Sequence, residues 1–159
     1  MRTDRLIDRR LMTRVFGVLG PTEAAGEMVA FTVVLLAGGW AWGMEPDATL
    51  LATASGTAFA AVVIGQLANA FACRSATRWA GRLPLTSNHL LLVAVAVELG
   101  LLLLFVGFPP VADLLGGSWP SPLGWAFAIA AAPLLILVDA AHKAFRARGR
   151  SSTTHQEGR

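Results

Sequence analysis

Residues 90–108 read LLLVAVAVELGLLLLFVGF, a run with Glu98 as its one ionisable residue. A helix of this composition has no polar face to offer water, and its length matches the roughly 20 apolar residues needed to cross a bilayer. Three more stretches meet the same requirement: residues 24–42, 53–72 and 123–141. A soluble all-α bundle fails on the stretches at 90–108 and 123–138, which are apolar on every side. Charged residues make up 14% of the chain, against about 25% in soluble domains. The predicted fold is therefore all-α: a polytopic membrane protein with four transmembrane helices in a bundle. The predicted organisation is a segment at 1–20, a membrane domain at 21–143 and a disordered tail at 144–159, where the sequence is polar and poor in apolar residues.

The basic residues fix an expected orientation. All 13 lie before the first stretch, between the second and third, or after the fourth. The other two loops carry Glu45, Asp47 and Asp113 and no base. The positive-inside rule then places both termini and the middle loop in the cytoplasm of a multi-pass cell-membrane protein. The net charge of +3 follows from this topology, and nucleic acid is not an expected partner. Trp40, Trp42, Trp119 and Trp125 fall at the opposite helix ends, as interfacial anchors do. The first 20 residues alternate acids with bases and have no apolar core, so they are not a secretory signal. The strip DRRLMTR reads as a solvated segment beside the membrane, compatible with anionic lipid heads. Before the third stretch, Ser87 or Asn88 is a candidate helix cap.

Ionisable and amide side chains at membrane depth are the functional candidates. Glu98 near the centre of its helix costs about 2.5–3.5 kcal/mol on insertion scales. The surrounding Leu, Val and Phe residues offset that by about 6 kcal/mol, so the helix inserts and Glu98 is expected to face protein. Such an acid either ties helices together or lines an ion path. Gln66 and Asn69 are three apart and share a face. Their carbonyl oxygens suit a hard cation, and interhelical hydrogen bonding is the alternative. Small residues on the same helix, Ala54, Ser55, Gly56 and Ala58, suit close helix approach. Glu23 and Glu27, just after Pro21, fit the dipole of a helix start. Asp139 and Lys143 are spaced to pair. Cys73 is the only cysteine, so no intramolecular disulfide forms, and the histidines show no metal-binding spacing.

Four motifs in order resemble the last four membrane helices of bacterial calcium- and cation-transporting P-type ATPases. LMTRVFGVLGPTEAAGEMVAFTVVLLAGGW is similar to the seventh helix of that family, with its Arg–aromatic–Leu-Gly entry and Gly-Gly-Trp exit. ATASGTAFAAVVIGQLANAFACRS resembles the eighth, with its Gln-x-x-Asn-Ala-Phe-x-x-Arg end. SNHLLLVAVAVELGLLLLFVGFPPV resembles the ninth and PLLILVDAAHKAFRAR the tenth. The likeness covers residues 6–148, and an Arg-rich, Lys-poor composition agrees with a bacterial source. It implies a transported cation, calcium, with no cofactor held by the chain itself. It implies as partners the remaining helices and cytoplasmic domains of a pump, together with the lipid bilayer. It singles out Gln66: two-site calcium pumps carry a calcium-binding glutamate at the matching position, whereas an amide there resembles pumps that move one calcium per cycle.

The Asp-Lys-Thr-Gly-Thr phosphorylation motif and the Thr-Gly-Glu motif of the family do not occur in these 159 residues, and neither does a Walker-type phosphate loop. The expectation is a non-catalytic membrane part of a cation pump, encoded as a separate or truncated chain. The alternative is a small self-standing four-helix membrane protein, either a regulatory subunit or a homo-oligomeric transporter.

Overall fold

The structure, a computed structural model, describes residue 12 and residues 15–72 and 89–154. A π-helical turn at Val15–Leu19 leads into α1, Gly20–Ala37. There follow α2 (Ala48–Ala72), α3 (His89–Gly107), the short α4 (Pro109–Leu114) and the long α5 (Pro122–Thr154). Among the described residues, four spans are long and apolar enough to cross a membrane: Val15–Ala37, Ala48–Ala72, His89–Gly107 and Pro122–Phe145. The chain is an all-α bundle with four membrane-spanning helices. The segment before residue 12, the candidate caps Ser87 and Asn88, and residues 155–159 lie outside the described residues.

Local chemistry moves several helix ends away from their expected positions. The first span starts well before residue 24. Pro21 has no N–H for the carbonyl four residues back and its ring crowds that carbonyl, and a widened π turn accommodates it. The Thr22 hydroxyl donates to the Val18 carbonyl at 2.7 Å. Leu19, preceding α1, is itself helical at φ −70°, ψ −47°, so the backbone runs through this point without a cap. Pro21 and Glu23 do lie in the first α-helical turn, with the π turn before it, while Glu27 lies one turn further on. The span then ends at Ala37 rather than 42, because Gly39 turns the chain with φ +88°, a conformation glycine adopts without strain. α2 begins five residues earlier than expected. Asp47 Oδ2 accepts the Thr49 amide at 3.0 Å, an N-cap that the apolar count overlooked. Ser121 caps α5 in the same way through the Gly124 amide at 3.0 Å. α5 stays helical through Thr154, where a disordered tail from 144 was expected; Ala140, Ala141, Lys143 and Ala144 are good helix formers and carry the helix past its apolar part.

α2 is the centre of the bundle. Ala54, Gly56, Thr57, Ala60, Ala61, Val63, Gly65, Ala68 and Ala72 are buried along it, and the neighbouring helices approach its backbone closely. A side chain at Gly65 would meet Glu23 of α1, and one at Gly124 of α5 would meet Thr57. Ala54 and Gly56 are buried as their small size suggests, while Ser55 and Ala58 are half-buried. One apolar cluster joins Ala30, Ala60, Ala61, Val63, Leu102, Val106 and Ala128 across all four spans. The Trp40–Trp42 rings lie 5.8 Å apart and the Trp119–Trp125 rings 5.4 Å apart, in two loops and the first turn of α5 at one end of the bundle. These loops meet the start of α2, where the Ser118 amide donates to the Ala52 carbonyl at 3.0 Å.

Candidate functional site

From Ala52 to Ala72 only two residues of α2 are exposed, Gln66 and Ala70. They are four apart and therefore neighbours on one face. The central helix thus has one window through its covering, and an amide stands in it. Asn69 is half-buried beside the window. The adjacent Gly65 carries the contact with α1: a Cβ there would lie 2.9 Å from Glu23 Oε1. That oxygen is buried and has no hydrogen-bond partner among the described residues. Glu27, one turn further along α1, is half-buried.

α3 offers a narrow stripe to the bundle. Leu91, Leu92, Val95, Glu98, Leu102, Phe105 and Val106 are buried or half-buried, and every other residue of α3 is exposed. Their spacing of three and four marks a single helix face. Glu98 is the polar member of that face and so lies on the protein side of α3. The Phe59 and Phe105 rings, 5.8 Å apart, set the height of α3 against the antiparallel α2. Gln66 lies seven residues beyond Phe59 and Glu98 seven residues before Phe105. Each is about 10 Å along its helix from the ring pair, and seven residues is nearly two whole turns. Gln66 and Glu98 therefore lie at a similar depth, on the same side of that ring pair along the bundle. The sequence distinguished both residues but gave no means of relating them, because the ring pair that sets their common depth is a tertiary contact.

The remaining polar group is structural in its geometry. Asp139 Oδ2 and Lys143 Nζ pair at 2.6 Å, as their spacing predicts, with the side chains 1% and 8% exposed. The ammonium also donates to the Ala72 carbonyl at 3.1 Å, a link to α2 that no sequence pattern announces. Among the described residues, no three His, Cys, Asp or Glu side chains come together in a way that would hold a metal ion.

The family of this chain is shown by its match to a family model. The chain belongs to the family described as "Cation transporting ATPase, C-terminus", whose model covers residues 1–145. It is the membrane part of a cation-transporting ATPase, a region that is not catalytic by itself. No curated protein matches the chain.

Proposed function

We propose that the chain supplies the last four membrane helices of a P-type pump for calcium. In this reading it braces the transport helices and presents the Gln66 and Asn69 amides to the cation site, and the phosphorylation and nucleotide-binding domains belong to the rest of the pump. The observation that carries the proposal is the window on α2. A central helix, closed elsewhere by small-residue packing, leaves an amide uncovered at membrane depth, where polar groups need partners. Helices from the rest of the pump would cover that window. The amide oxygens would then coordinate a hard cation directly or hold the carboxylates that do, with Glu98 at the same depth as one such carboxylate. The 13 basic residues at one set of helix ends support an orientation with that end, and both termini, in the cytoplasm.

The test is transport against cation concentration in the assembled pump, read beside the melting temperature. Gln66→Ala is expected to raise the half-saturating calcium concentration while sparing expression. An amide that only ties helices together would instead lower stability by about 0.6 kcal/mol with the half-saturating concentration unchanged, and that result would remove Gln66 from the cation site.

A further inference from the structure

The Lys143 ammonium joins two helices at the end of the bundle away from the tryptophans. It pairs with the Asp139 carboxylate, one turn back on α5, at 2.6 Å. It also donates a hydrogen bond to the carbonyl of Ala72, at the end of α2 among the described residues, at 3.1 Å. An ammonium has three donors and no acceptor, so the two contacts are compatible at once, and a cation is favoured at a helix C-terminus. Ordinary i,i+4 pairs lie in solvent and contribute little. This one is buried, and its cation reaches a neighbouring helix. Ala72 is six residues beyond Gln66 and three beyond Asn69, so the contact grips the same two turns of α2 that hold both amides. From another side Glu23 packs against Gly65. The hydrogen bond from the Ser118 amide to the Ala52 carbonyl holds the other end of α2, and between the two ends α2 is held by van der Waals packing of small residues. The hydrogen bond to Ala72 is directional.

We propose that Lys143, oriented by Asp139, is a positioning residue that sets the register of the last two turns of α2 and so the direction in which Gln66 and Asn69 present their amides. The link to cation binding rests on the function proposed above; the effect on register does not.

Two measurements test the proposal separately from that function. In the full chain in lipid nanodiscs, with Cys73→Ser, spin labels replace the exposed Ala70 on α2 and Ala141 on α5. Lys143→Met is expected to shift or broaden their distance distribution by at least one residue's rise, about 1.5 Å. Lys143→Gln, which can still donate to Ala72, is expected to keep most of the original distribution. In the assembled pump, Lys143→Met is expected to raise the half-saturating calcium concentration about tenfold, within the usual range of coupling between sites. The maximal rate should stay within about twofold. Added to Gln66→Ala, it should cause little further rise. An unmoved distance in Lys143→Met overturns the proposal whatever the pump assay reads. So does an unchanged half-saturating concentration in Lys143→Met beside a raised one in Gln66→Ala. If Gln66→Ala is without effect and the distance still shifts, the cation reading of Gln66 falls and the role of Lys143 in setting register stands. Should Lys143→Met fail to insert, Asp139→Asn carries the same distance measurement, with the same two outcomes.

Discussion

Ser118 sits with its carbonyl directly over Gly56, and its amide donates to Ala52 at 3.0 Å. The loop before α5 therefore rests on the bare backbone of α2, and a side chain at residue 56 would collide with main-chain atoms that cannot rotate away. Overpacking of this kind costs about 1–3 kcal/mol. Gly56→Val is expected to lower the melting temperature in detergent clearly. Gly100→Ala is the matched control: nothing lies within 4 Å of the position a Cβ would take there, so its melting temperature should equal or slightly exceed that of the wild type. Equal melting temperatures for Gly56→Val and wild type would show that the loop does not rest on α2.

The buried pair on α5 calls for a double-mutant cycle. Asp139→Leu and Lys143→Leu each break the 2.6 Å ion pair and should each cost about 3–5 kcal/mol, whereas the double change to leucine should cost less than the sum of the two, because the shared pair is lost only once. Additive single effects would mean that the two side chains do not meet.

Much of this architecture was legible because lipid leaves few options. Backbone groups in a bilayer must be satisfied internally, so four apolar runs mean four helices, and the Asp139–Lys143 pair followed from helical spacing alone. The helix ends were less legible, being set by single capping contacts such as Asp47 with Thr49 and by Gly39 with its positive φ. The site was half legible. Gln66, Asn69 and Glu98 are recognisable as polar groups in apolar runs. The window at Gln66 and Ala70, the depth shared with Glu98 and the reach of Lys143 to Ala72 depend on which helix faces which, and that is decided by glycines and alanines whose pattern looks alike on every side of α2.

Orientation is open to a direct measurement. Reporter fusions after Arg150 and Arg78 should read cytoplasmic, and fusions after Asp47 and Asp113 should read external, following the distribution of bases. A cytoplasmic signal at Asp113 would contradict this arrangement.

Catalytic activity should be missing from the purified chain. Phosphoryl transfer needs a nucleotide held in line with its acceptor, and the Asp-Lys-Thr-Gly-Thr motif does not occur in these residues. Labelled ATP should give no acid-stable phosphoenzyme; a labelled band at the mass of the chain would refute the assignment as a non-catalytic part.

Glu98 discriminates most sharply between a membrane face and a protein face. It lies on the stripe that includes the buried Leu102 and Val106, while its neighbours Val97 and Leu99 are exposed. A polar group on that stripe needs a hydrogen-bond partner, because leaving it unpaired in an apolar setting is costly. Glu98→Gln keeps the size of the side chain and a carbonyl acceptor, so its yield and melting temperature should stay close to wild type. Glu98→Lys brings a longer side chain with a charge of opposite sign. On insertion scales a lysine at a helix centre costs about 2.5–3.5 kcal/mol, and a buried ammonium without a partner costs more in the folded bundle. Its yield in the membrane and its melting temperature in detergent should both fall, with the far-UV helical signal of the surviving fraction unchanged, because α3 can insert while failing to dock. Should Glu98→Lys match wild type on both measures, the residue faces water, and the stripe on α3 borders an aqueous cleft instead of a packed interface.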